Sequence, residues 1–93
     1  MFERILNQMR RKVRALQYVM TLHAEEEMDS DGLSIFDVEQ AILTGRIIER
    51  QRDTETGEWK YLVEGKSVED RYLVVVSKLS LTSKLIIITM YVD

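Results

Sequence analysis

Tyr72-Leu73-Val74-Val75-Val76-Ser77-Lys78-Leu79, a polar turn at Ser80 to Ser83, and then Leu85-Ile86-Ile87-Ile88-Thr89-Met90-Tyr91-Val92 decide how this chain folds. Both runs are rich in β-branched and aromatic side chains, which suit a pleated surface, so they predict a pair of strands. Neither run alternates apolar with polar. Strict alternation points Ile86, Ile88 and Met90 one way and Leu85, Ile87 and Tyr91 the other. A strand that is apolar on both sides needs cover on both faces of its sheet.

The segments upstream offer that cover. Phe2, Ile5, Leu6, Met9, Val13 and Leu16 recur at helical spacing, predicting an amphipathic helix with a basic opposite face of Arg10, Arg11, Lys12 and Arg14. Gln17 to Thr21 reads as a first short strand. Thr21 is placed to cap a short helix running to about Asp29, whose Glu25, Glu26 and Glu27 sit where the helix dipole favours negative charge. Asp29-Ser30-Asp31-Gly32 breaks the chain, with Gly32 free to take positive φ. Ser34 and Asp37 then form a near capping box, with Asp in place of the usual Glu. Ile35, Val38, Ala41 and Ile42 make that helix's apolar stripe, widened by Phe36 and Leu43. Gly45 falls where a left-handed helix terminator belongs.

Strands follow at Arg46–Gln51 and Trp59–Glu64, around an Asp53–Gly57 turn whose late glycine suits a bulged hairpin. Helices grouped early and strands in meander argue an α+β fold, with helices on one face of a mostly antiparallel sheet of about five strands and an extra N-terminal helix. The second sheet face has two candidate covers: the N-terminal helix or a second copy of the chain. A twofold dimer is the commonest way to bury a spare apolar face, so a homodimer in which the N-terminal helix takes part is expected.

Composition narrows the function classes. The chain has 93 residues, enough for one domain, with no cysteine and one histidine. Without cysteine there is no disulfide framework, which fits a reducing cytoplasm. No apolar run reaches the length of a membrane helix, and no signal-peptide core is present. The net charge of −3 hides an asymmetry: residues 1–22 carry +4 and residues 23–93 carry −7. An acidic body does not suit a general polyanion binder. On the helix at the chain start, the basic strip reads first as a solvated face and second as a phosphate- or anionic-membrane-binding strip.

One histidine and no cysteine cannot make a closed zinc site, and no nucleophile elbow or phosphate-cradling glycine motif occurs. Glu27-x-Asp29-x-Asp31-Gly32 begins like a calcium loop, but Val38 stands where the bidentate Glu is required. No cofactor or metal is expected. His23, near a helix start, is the only imidazole available for proton transfer, although a lone histidine there is more often structural. Arg46, Arg50, Arg52, Lys60, Arg71 and Lys78 lie on or beside strands. A regular strand would put Arg46, Arg50 and Arg52 on one face. With Trp59 and Tyr61 they would form a basic-aromatic surface suited to RNA, against the plainer reading of a solvated face with cross-strand ion pairs.

Thr21, His23-Ala24, Met28, Gly32-Leu33-Ser34, Asp37-Val38, Ala41-Ile42, Gly45 and Ile88-Thr89-Met90-Tyr91, in this order and spacing, resemble the domain-of-unknown-function 4258 family over about residues 17–92. That family is similar in layout to the RelE/ParE toxins of bacterial toxin–antitoxin pairs. The resemblance implies two helices on an antiparallel sheet in a toxin-like domain over 17–93, preceded by the basic helix of residues 1–16. It also implies an antitoxin-like protein partner. Relatives commonly carry Arg where this chain has Glu27 and Asp31. Acidic residues there repel a phosphodiester, so the expected function is protein binding by a non-catalytic or degenerate member of this toxin-related group. The alternative is an RNA-cleaving toxin of the RelE type. In it His23 or Tyr91 would move protons, and Arg46, Arg50 and Arg71 would hold phosphate.

Overall fold

The computed structural model describes residues 1–93. Its elements are α1 (Glu3–Arg14), β1 (Tyr18–Met20), α2 (Leu22–Ser30), α3 (Ile35–Thr44), β2 (Arg46–Arg52), β3 (Trp59–Lys66), β4 (Tyr72–Leu79) and β5 (Leu85–Val92). The five strands form one sheet in the order β1-β5-β4-β3-β2, and only the β1–β5 pair is parallel. This is the expected α+β architecture. No helix is long and apolar enough to cross a membrane.

The three helices all contribute to a single core on one side of the sheet. Met9 and Val13 of α1, Ala24 of α2, and Val38, Ala41 and Ile42 of α3 cluster with Val63, Leu73, Val75, Leu85, Ile87 and Met90. The N-terminal helix therefore does not cross to the second face, which removes one of that face's two candidate covers. Arg10 explains its placement: Nε donates to the Ile42 carbonyl (3.1 Å) and Nη2 to the Gly45 carbonyl (2.7 Å). A guanidinium satisfying the last carbonyls of α3 fixes α1 alongside that helix. Leu16, assigned above to the apolar stripe, lies past the helix end with φ 56° and is 73% exposed. Phe36 likewise points to solvent, at 67% exposure, and does not widen the α3 stripe.

The face assignment of β5 also departs from strict alternation. Val76 pairs with Thr89 but Ser77 pairs with Ile87, so Ile88 is a bulge. One extra residue inverts the facing of everything beyond it. Leu85, Ile87 and Met90 consequently face the helices, while Ile86, Thr89 and Tyr91 face away. The bulge is tied down by Thr21. Its hydroxyl donates to the Ile88 carbonyl (2.7 Å) and also accepts from the Ala24 N–H (3.0 Å), capping α2 as the sequence suggests. The Thr21 N–H donates to the Ile87 carbonyl (3.0 Å). One side chain thus joins the start of α2 to the irregular point of β5.

The capping box at Ser34–Asp37 forms, and Gly32 and Gly57 take positive φ as expected. Gly45 does not. Its φ of −90° and ψ of −167° are extended, so left-handed geometry is not why glycine stands there. The reason is space. A Cβ on Gly45 would lie 2.9 Å from the Glu64 carbonyl carbon, and one on Gly65 would lie 2.7 Å from the Ala41 carbonyl carbon and 2.8 Å from Ala41 Cα. Helix α3 therefore rests on β3 backbone against backbone, through Ala41, Gly45 and Gly65.

Two outcomes follow for stability. Gly65→Ala forces α3 off the sheet, and since overpacking costs about 1–3 kcal/mol, a clash with rigid backbone belongs at or above about 3 kcal/mol. At about 4–8 °C per kcal/mol, its thermal midpoint should fall by more than about 12 °C, whereas Gly57→Ala should cost far less. Thr21→Val removes a cap and leaves the Ile88 carbonyl without its donor, a loss of about 2 kcal/mol in urea unfolding. Thr21→Ser, which keeps the hydroxyl, should retain most of that stability. Equal midpoints for the Val and Ser variants would count against the hydroxyl's structural role.

Candidate functional site

The sheet face turned away from the helices is divided by residue type. Its rows, read across paired strands, are Arg46–Glu64–Val74–Tyr91, Glu49–Leu62–Val76–Thr89 and Lys78–Ile86–Val19. The β4–β5–β1 half is mainly apolar, interrupted by Lys78 and Thr89, and the β2–β3 half is mainly charged, interrupted by Leu62. Leu62, Val74 and Val76 are buried and form a second cluster with Ile88. Long neighbours shelter this strip: Lys78 Nζ pairs with Glu58 Oε1 (3.4 Å), Arg46 Nη2 lies 3.9 Å from Glu64 Oε1, and Lys66 lies over the Tyr72 ring at 5.2 Å. Ile86 and Ile88 remain half-buried, while Val19 and Tyr91 are each 43% exposed. A hydrogen bond to the Asp93 carboxyl, aided by desolvation, pushes the Glu64 pKa up, and Arg46 acts in the opposite sense.

The residues singled out in the sequence disperse over this frame. Tyr91 and Arg46 share the uncovered face but sit at opposite ends of one row, three strand spacings or about 14 Å apart. Arg50 is on the other face. A bulge between Ile47 and Glu49 breaks the alternation of β2, so Arg50 pairs with Tyr61 and Arg52 with Trp59 on the helix side, away from Arg46. There the two guanidiniums lie 4.1 and 5.1 Å from the Trp59 ring centroid. His23 is the second residue of α2, exposed, and its ring makes no hydrogen bond. No hydrogen bond joins it to Tyr91, which projects from the side of the sheet opposite the helices.

Arg71 belongs to a third place, the corner where the β3–β4 loop meets the α2–α3 junction. Its Nη1 donates to the Asp31 carbonyl (3.3 Å). Beside it the Asp37 carboxylate accepts from the Ser34 N–H (2.8 Å), the Ser34 hydroxyl (3.3 Å) and the Val68 N–H (3.0 Å). Bonds from the Ser34 and Val68 backbone, and the Arg71 charge, hold the Asp37 pKa below its ordinary value. On the far edge, the Tyr18 hydroxyl donates to Glu39 Oε2 (2.6 Å). Desolvation and then this bond push the Tyr18 pKa up to about 12. These polar groups bind elements to one another.

The uncovered apolar half, running from Val74 and Val76 through Ile86 to Val19 at the sheet edge, did not emerge from alternation alone. A signal was present: regular pairing would turn Thr89 and Tyr91 into the core beside Leu85 and Ile87. Two polar-tipped residues on a buried face mark a strand that must change facing partway.

The architecture defines a small α+β domain with one helix-covered and one open sheet face. Residues 20–92 match the model of the family described as Domain of unknown function (DUF4258), and the chain belongs to that family. No curated protein and no solved structure matches it. The family match begins after α1, which the present chain packs into the same core.

Asp37 supplies a pH test of the corner. A carboxyl whose folded pKa lies below its unfolded value stabilises the fold above the unfolded value, and the contribution is lost as pH falls through the folded one. The ordinary value of an unperturbed aspartate carboxyl, which stands for the unfolded chain, is 3.8. Wild type should therefore lose stability on acidification below about pH 4, and Asp37→Asn should be less stable at neutral pH with a shallower acid limb. Urea unfolding at a series of pH values measures both.

Proposed function

We propose that this domain acts by binding protein through its open sheet face, and that a second copy of the chain is the partner, giving a homodimer. The observation that carries the reading is the apolar half-face over β4, β5 and β1, bounded by the charged half over β2 and β3. A dry centre with a charged margin is the usual anatomy of a protein interface. The molecule measures 33 by 25 by 24 Å, and its broad side is of the order of the ~800 Å² that each partner contributes to a standard interface. The dispersal of His23, Tyr91, Arg46, Arg50 and Arg71 favours binding over catalysis. Together with Glu27 and Asp31 it supports a non-catalytic relative of the RelE/ParE toxins.

The second reading is an RNA-cleaving toxin with an antitoxin partner. What favours it is the Arg50–Trp59–Arg52 cluster, an aromatic face flanked by two cations of the kind that stacks bases. It would use the helix side of the sheet, so the two readings separate by surface.

Light scattering after size exclusion tests the first. Wild type should run at twice the mass of one chain at micromolar concentration. Ile86→Glu, which buries a charge in the proposed interface, should run as a folded monomer with an unchanged circular dichroism spectrum. A monomeric wild type, or a dimer indifferent to Ile86→Glu, would refute the assignment. Retention of growth and intact messenger RNA on induction in bacteria would speak against the RNA-cleaving alternative.

A further inference from the structure

The geometry points to a phosphoryl-binding cleft between α1 and the β4–β5 turn, on the helix side of the sheet and separate from the open face. The cavity there has a volume of about 520 Å³ and is walled by Gln8, Arg11, Lys12 and Gln17 on one side and Ser80 and Ser83 on the other. Helical spacing places Gln8, Arg11, Lys12 and Ala15 on one face of α1, so the two cations are presented together.

Charge segregation is the first argument. The chain has more acidic than basic residues, yet no carboxylate lines this cleft. Several cations elsewhere are engaged: Arg10 by α3 carbonyls, Arg50 and Arg52 by Trp59, Lys78 by Glu58, and Arg71 by the Asp31 carbonyl. Arg11 and Lys12 have no carboxylate within 4.0 Å, and Lys12 touches only the Gln17 amide oxygen, at 3.4 Å. A guanidinium fork beside an ammonium, without counter-charge, is matched to a tetrahedral oxyanion.

Rigidity is the second. The turn is closed by the Ser80 N–H donating to the Lys84 carbonyl (2.9 Å) and the Ser83 N–H to the Ser80 carbonyl (3.2 Å). Ser83 is held at φ 66°, and its hydroxyl makes no bond to the protein, leaving a donor free at the rim. The opposing wall is equally fixed. The carbonyls of Arg11, Lys12 and Val13, which end α1 and would repel an anion, already accept from Ala15, Gln17 and Leu16. The cleft is open to solvent and wider than a bare phosphate, so it has room for a phosphoryl group carried on a larger body, a nucleotide or a nucleic-acid backbone. The helix-side wall precedes residue 20 and so lies outside the stretch that matches the family model.

Amide-resolved NMR titration of the full chain with pyrophosphate, and separately with a short single-stranded RNA, tests the site against a chloride-matched control. Expected are saturable shifts confined to Gln8, Arg11, Lys12, Gln17, Ser80 and Ser83, weakening as salt rises. The double variant Arg11→Gln/Lys12→Gln should bind at least about tenfold more weakly while its remaining spectrum is unchanged. RNA binding tighter than pyrophosphate assigns the nucleic-acid backbone, and the reverse order assigns a small phosphorylated ligand. Absence of saturable shifts with either probe at millimolar concentration, or shifts that persist in the double variant, would overturn the site. Because Ile86 lies on the opposite face, loss of the dimer and loss of this cleft are separately observable.

Discussion

A threonine hydroxyl and a strand bulge hold the logic of this domain together. Thr21 gives its proton to the carbonyl of Ile88 and takes one from the first turn of α2. The bulge at Ile88 leaves the strand ladder locally unpaired, and such a kink persists only where something outside the ladder satisfies it. Without it, Thr89 and Tyr91 would be driven into the core and Met90 out of it. With it, the greasiest strand places Leu85, Ile87 and Met90 under the helices and turns Tyr91 outward. The composition of both faces of the sheet follows from that single extra residue.

The same economy appears where α3 meets β3. Ala41, Gly45 and Gly65 let two backbones touch, so this helix sits nearer the sheet than side chains would permit. Arg10 then sits over the end of α3 and brings α1 into the same layer. Stacking all three helices on one side is what leaves the other side without a cover. The charged rim of long side chains shelters Leu62, Val74 and Val76 but leaves Val19 exposed. The open face is thus a consequence of how the covered one is packed.

Two bulges also explain why the chemistry-bearing residues do not converge. The irregularity in β2 sends Arg46 to one face and Arg50 and Arg52 to the other, and that in β5 turns Tyr91 to the face opposite Leu85 and Ile87. His23 stays on a helix start and Arg71 on a loop corner. A protein of this form is organised for surfaces: an apolar half-face, a cation–aromatic cluster, and a basic cleft beside a turn. These surfaces lie on different parts of the molecule and do not compete for the same residues.

Much of this was written locally. The α+β order, the Thr21 cap, the Ser34–Asp37 box and the turns at Gly32 and Gly57 are short-range features, set by backbone sterics and hydrogen bonds within a few residues, and the chain states them directly. The side of the sheet taken by α1, the true facing of β5, the reason for Gly45 and the fate of Arg10 are different. Each depends on atoms far away in the chain: Ile42 and Gly45 for Arg10, Glu64 for Gly45, Thr21 for Ile88. Period-two and period-3.6 patterns record which residues are apolar, but not where a strand slips by one or which layer a helix joins. Those choices are made by close packing and by the need to pair each buried carbonyl, and only the assembled structure exposes them.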